Sequence, residues 1–178
     1  DAFSGISGDM TVGALVDAGA DGHALIEALR SLETGAAYEL EKTKRCGIAA
    51  TKFRVESGEK QRHRHLSHIV RMISAAPLPE NAKRNATAVF QRLGGAADSI
   101  ADIVGACVGL ELLGVEAVYC SSVNVGGGTV QTEHGILPVP APATAALLAG
   151  KPVYSRGPQK ELTTPTGAAI AVTLARDF

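Results

Sequence analysis

The chain has 178 residues, with 17 Lys and Arg, 18 Asp and Glu and five His, for a formal net charge of −1. Hydrophobic residues make up 46% and charged residues 20%, which fits a globular chain with a real core and excludes a disordered one. No apolar run reaches the roughly 20 residues a membrane helix needs, and 4% aromatics without Trp argue against stacked single-stranded nucleic acid as a partner.

Residues 1–8 read as a strand end and a Gly-rich turn. A helix follows from Asp9 to Ala18, stopped by Gly19. A second helix covers Gly22 to Leu32, with Leu25, Ile26 and Leu29 on one face. Tyr38 to Lys44 and Ile48 to Glu56 read as strands joined near Cys46 and Gly47, a probable hairpin by their partial alternation. Three helices come next: His65 to Ala75, Pro79 to Leu93 and Asp98 to Leu113, each with an apolar stripe at helical spacing. Val118 to Val125 reads as one strand ended by Gly126, Gly127 and Gly128, and a short strand follows from Thr129 to Gln131. Pro138, Pro140 and Pro142 make Leu137 to Pro142 extended. A helix from Ala143 to Leu148 and a short strand from Pro152 to Tyr154 lead to the last helix. That helix has Thr164 as N-cap and Pro165 in its first turn, and is expected to run to the end. This order predicts an α/β layered domain, with helices packed on a small mixed sheet that includes an antiparallel hairpin.

Charge is uneven along the chain. Residues 1–41 carry eight acids and one base, whereas residues 42–71 carry nine bases, two acids and His63, His65 and His68. A positive middle on a nearly neutral protein suits a phosphorylated small molecule or an acidic neighbour better than duplex nucleic acid, though a solvated basic face would read the same way. The three cysteines, Cys46, Cys107 and Cys120, form no CxxC pair, so reduced thiols are expected and not a zinc ribbon or disulfide framework. The chain opens on Asp1 without a signal peptide or initiator Met, so it is expected to be less than a complete reading frame.

Several segments carry residue types suited to chemistry. In Ser4 to Asp9 (SGISGD), Gly5 and Gly8 let the backbone turn tightly into a helix whose N–H groups, with the Ser4 and Ser7 hydroxyls, suit a phosphate. Asp9 repels a phosphate unless a divalent metal lies between them, and Asp1 with Asp9 could hold one. Plain helix capping explains the same residues. The Thr163 to Ala169 turn repeats the logic with Thr164, Thr166 and Gly167 at a second helix start. His65 and His68 are one turn apart and, with His63, suit nickel, zinc or copper, but Arg62, Arg64 and Arg71 around them repel a cation. His134, followed by Gly135 before a proline-fixed segment, is a candidate ligand or general base, or simply a turn residue. Asp98 and Asp102, four apart, either bind a metal or serve a helix start.

The motifs DAFSGISGDM (Asp1–Met10), RCGIAATK (Arg45–Lys52), RHLSHI (Arg64–Ile69), ADSIADIVGA (Ala97–Ala106), LPVPAPAT (Leu137–Thr144) and LTTPTGAA (Leu162–Ala169) occur in that order. Together they resemble the N-terminal part of LarC-type nickel insertion proteins, over essentially the whole chain. The resemblance implies nickel insertion into pyridinium-3,5-bisthiocarboxylic acid mononucleotide. The product is the nickel-pincer nucleotide cofactor of lactate racemase-type enzymes. It also implies a nickel chelatase (cyclometallase, lyase class) that in its full-length form uses CTP with Mn²⁺ or Mg²⁺ and is a homo-oligomer, a cytoplasmic location, and as partners its own C-terminal domain and an apo lactate racemase-type enzyme as recipient. No nucleic acid or membrane partner is implied.

Against the family pattern, residues 1–178 are expected to form a single N-terminal domain, with a first strand, the family's C-terminal domain with its CTP use, and a segment near 93–96 expected to be missing. Residues such as Leu93 and Gly94 then join Gly95 and Ala96 directly, and a Cα break is expected near Gly94–Gly95. Within this reading Ser4, Gly5, Ser7, Gly8, Thr164, Thr166 or Gly167 hold the substrate phosphate, and Lys52 or Arg45 counters its charge. Forming a nickel–carbon bond releases a ring proton, for which His134 is the first candidate base and Asp9 the second. Candidate nickel or divalent-metal ligands are Asp1, Asp9, His63, His65, His68, Asp98, Asp102 and His134. Two other readings stay open: a nickel store or metallochaperone without bond-forming chemistry, and a metal-dependent enzyme acting on a phosphorylated metabolite.

Overall fold

The computed structural model describes residues 1–45, 47–57, 64–94, 99–132 and 135–178. Within them the chain is mixed α/β, as the element pattern predicts, and its contacts divide it into two compact units. One contains Asp1–Ser7 and Glu116–Phe178, the other Gly8–Val115.

The Gly8–Val115 unit is built from five helices and a hairpin: α1 (Gly8–Asp17), α2 (Gly22–Arg30), β1 (Ala36–Arg45), β2 (Ile48–Ser57), α3 (Leu66–Ala75), α4 (Glu80–Leu93) and α5 (Ile100–Leu112). The Asp21 carboxylate caps α2, accepting from the N–H groups of His23 and Ala24. β1 and β2 pair antiparallel from Ala36↔Ser57 to Arg45↔Ile48, the predicted hairpin. Tyr38 and Phe53 stack on its buried face. α5 is apolar nearly all round and is the central helix, packed by α1, α2 and α4. Gly105 and Gly109, one turn apart, let α1 lie close on it: a Cβ at Gly105 would sit 3.0 Å from Val12, and one at Gly109 3.0 Å from Leu15. Leu25, Leu29, Ile69, Ile73, Val89, Phe90 and Ile103 fill the remaining core.

The other unit contains β3 (Val118–Tyr119), β4 (Val123–Asn124), β5 (Thr129–Thr132), β6 (Gly135–Pro138), α6 (Pro142–Leu147), β7 (Val153–Tyr154), α7 (Pro165–Leu174) and β8 (Ala175–Asp177). Its strands pair two by two: β3 with β8 and β4 with β7 in parallel, β5 with β6 antiparallel. Ala2, Val123, Val125, Leu148, Ala168 and Val172 form its core.

Two expectations need correction. The strand expected from Val118 to Val125 is two strands with different partners. Between them the Ser121 hydroxyl accepts from the Ala2 N–H at 2.8 Å, a side-chain bond in place of a ladder. The last helix stops at Leu174. Ala175 turns extended and enters β8 beside β3, because that pairing satisfies backbone groups that a further helical turn would leave to solvent. The start of that helix is as expected: the Thr164 hydroxyl accepts from Gly167 N–H at 3.2 Å, with Pro165 at the first position.

Candidate functional site

The SGISGD turn is divided between the units, its residues through Ser7 in one and Gly8 and Asp9 in the other. Ile6 bridges Thr163 in parallel, and its carbonyl accepts from the Thr164 N–H at 3.1 Å. The two phosphate-cradle candidates, the Ser4–Ser7 turn and the Thr163–Gly167 turn, are therefore neighbours. Their glycines serve this contact. A Cβ on Gly5, which has φ +83°, would fall 2.0 Å from the Leu162 carbonyl oxygen. One on Gly167 would fall 2.0 Å from that of Ile6. The space expected for a ligand at Gly167 is filled by the protein's own backbone. Thr166 lies in the first turn of α7.

Beside Ser4 opens a cleft of about 670 Å³, within the size range of small-molecule sites. Phe3, Ser4, Asn124, Tyr154, Arg156, Gly157, Pro158, Lys160 and Leu162 line it. Asn124, on β4 and only 5% exposed, organises its walls. Its amide nitrogen donates to the carbonyls of Phe3 and Arg156, each at 2.9 Å. Its amide oxygen accepts from the N–H groups of Gly126 and Arg156, each at 3.2 Å. The Tyr154 hydroxyl also donates to the Phe3 carbonyl, at 3.4 Å. The Phe3 ring is left 70% exposed. The sequence reading missed Asn124, Tyr154, Arg156 and Lys160. One signal was present: a polar Asn inside the apolar run VNV, just before three glycines, is the kind of residue that stays buried only when hydrogen-bonded.

In the Gly8–Val115 unit, Asp102 packs against the start of α1. A Cβ on Gly8 would lie 2.7 Å from the Asp102 Oδ2. Burial, and after it the charge of Asp9, pushes the Asp102 carboxyl up to about 7. Of the proposed ligands, Asp9, Asp102, His65 and His68 fall in this unit and Asp1 in the other. His65 precedes α3 and His68 sits in its first turn, both exposed. His63, Asp98 and His134 lie outside the described residues, as does the expected break after Gly94. Lys52 stands on β2 opposite Glu41, and Arg45 ends β1. Among the described residues no three His, Cys, Asp or Glu side chains converge on a metal position. Burial pushes the Cys107 thiol up to about 12, which removes it as a ready thiolate ligand.

The model of the family described as nickel insertion protein matches residues 1–97 and 94–178. The chain belongs to that family. A putative nickel insertion protein of Synechococcus elongatus is 47% identical over 202 residues, covering 100% of this chain and 50% of the relative. The pyridinium-3,5-bisthiocarboxylic acid mononucleotide nickel insertion protein of Desulfitobacterium hafniense is 44% identical over 199 residues, covering 100% and 49%. A putative nickel insertion protein of Syntrophobacter fumaroxidans is 44% identical over 198 residues, covering 100% and 51%. The chain spans about half the length of the curated relatives it matches. No solved structure matches it significantly. The two matched stretches of the family meet at residues 94–97, and the Synechococcus alignment of 202 residues exceeds the 178 of this chain. Among the described residues, no helix is long and apolar enough to cross a membrane.

Proposed function

We propose that this chain takes part in inserting nickel into pyridinium-3,5-bisthiocarboxylic acid mononucleotide, as a nickel chelatase of the lyase class. The observation that carries the reading is its similarity, along its whole length, to a relative named for that reaction. Nickel is cargo here, not a resident cofactor. The mononucleotide itself supplies part of the coordination, through its two sulfurs and a ring carbon. His65 and His68, with His63, bring the metal. The ring carbon must lose a proton as the nickel–carbon bond forms. His134 and Asp9 remain the candidate bases. Ser4 contacts the substrate from its place on the cleft.

The finer parts of the reading belong to the whole protein. They are CTP consumption with Mn²⁺ or Mg²⁺ in a C-terminal domain, assembly into a homo-oligomer, a cytoplasmic location, and transfer of the product to an apo lactate racemase-type enzyme. The test is mass spectrometry of the mononucleotide after incubation with the full-length protein that contains this chain, Ni²⁺, CTP and Mn²⁺, with the Desulfitobacterium protein as positive control. The reading expects a species carrying one nickel. If nickel binds the protein but never enters the nucleotide, a store or metallochaperone is the better description.

A further inference from the structure

We propose that the cleft beside Phe3 is the nucleotide subsite: Arg156 and Lys160 hold the phosphate, and the exposed Phe3 ring stacks on the pyridinium. The proposal rests on the nickel insertion reading and adds to it which residues grip which part of the substrate.

Four observations carry it. Among the described residues no acidic residue lines the cleft, while Arg156 and Lys160 do. Among the described residues neither of these cations has an ion-pair partner, so both charges are available to an anion. The backbone of Arg156 is fixed, because Asn124 holds its N–H and its carbonyl together. A guanidinium on a fixed backbone suits bidentate contact with phosphate oxygens. Finally, Phe3 exposes 70% of its surface although its own carbonyl is bound by both Asn124 and Tyr154. A large aromatic ring left in water costs burial free energy, and the face of such a ring attracts a flat organic cation. Cations for a phosphate and an aromatic face for a cationic ring on one cleft suit a pyridinium mononucleotide. Arg156 and Lys160 line the cleft together with Ser4.

The probes are nicotinic acid mononucleotide, its dephosphorylated riboside and ribose 5-phosphate, titrated calorimetrically. The proteins are wild type, Arg156→Ala/Lys160→Ala, the charge-conserving Arg156→Lys/Lys160→Arg, and Phe3→Ala, all checked for unchanged melting. The expected result is that wild type prefers the mononucleotide over the riboside by about tenfold or more, the size of charge-assisted contacts. The double alanine variant loses that preference and binds the riboside as before, the charge-conserving variant keeps much of it, and Phe3→Ala weakens mononucleotide and riboside by the same factor. A double alanine variant that keeps the wild-type preference overturns the subsite while leaving the nickel insertion reading standing. A mononucleotide that binds wild type no better than ribose 5-phosphate overturns the subsite together with the pyridinium substrate itself.

Discussion

Asn124 grips Arg156 at both ends of its peptide unit, accepting from its N–H at 3.2 Å and donating to its carbonyl at 2.9 Å. The same amide group reaches the Phe3 carbonyl, so one buried side chain ties the chain start to the loop after β7. Asn124→Ala takes that partner from the Arg156 and Gly126 backbone groups and leaves the Phe3 carbonyl only the longer bond from Tyr154. It should destabilise the protein by about 2–4 kcal/mol, since each buried group stranded costs about 1–3 kcal/mol. Chemical denaturation measures this. A loss under about 0.5 kcal/mol, the level of an ordinary surface change, would mean that Asn124 does not organise the cleft.

Gly167 separates two roles that the sequence leaves open. If a ligand approached its backbone, Gly167→Ala would fold normally and bind poorly. The Ile6 carbonyl oxygen already stands 2.0 Å from where that Cβ would be. The variant should therefore lose about 1–3 kcal/mol of stability or more, visible as a fall in melting temperature without any ligand present.

Asp17 ties α1 to the hairpin. Its Oδ1 accepts from the Thr51 hydroxyl at 2.6 Å and from Lys42 Nζ at 2.9 Å, and its Oδ2 from the Thr51 N–H at 2.6 Å. The Thr51 hydroxyl first, then Lys42 and the Thr51 N–H, hold the carboxyl down to about 2 from the usual 3.8. A depressed folded value means stabilisation that is complete above pH 4 and lost as pH falls through 2. Solvent reaches the side chain, which limits the size. Asp17→Asn should lower the melting temperature by about 2–4 °C at pH 7. That difference should shrink toward zero at pH 2; a constant difference across this range would contradict the assignment.

Asp102 has the opposite sign. Burial and the Asp9 charge lift it from 3.8 to about 7, so ionising it is harder in the folded state than in the unfolded one. Stability then declines as pH rises from about 4 to about 7, and the full penalty remains above that. Asp102→Asn keeps the shape and cannot ionise. It should melt higher than wild type at pH 8 and equal to it at pH 4. Equal melting temperatures at both values would show that Asp102 ionises without hindrance.

Much of this was legible from residue order. Helix-period stripes such as Ala82, Ala86, Val89 and Phe90 predicted their own burial, and Thr164 followed by Pro165 marked a helix start that the structure confirms. Local pattern failed where a distant partner decides. Nothing near Ser121 announces that its hydroxyl meets Ala2, 119 residues away, so the strand through it was read as continuous. The glycines of the two turns read as openings for a ligand because their Cβ clashes lie with Leu162 and Ile6, remote in sequence. Arg156 and Lys160 carry no motif and became visible only when Asn124 brought their loop beside Phe3.

The most direct test of the account is calorimetric titration of this protein with Ni²⁺, with and without pyridinium-3,5-bisthiocarboxylic acid mononucleotide. Because the nucleotide is held to complete the metal's coordination, nickel affinity should rise by at least about tenfold in its presence. Nickel affinity indifferent to the nucleotide would contradict the account and leave a protein that carries nickel without building the cofactor.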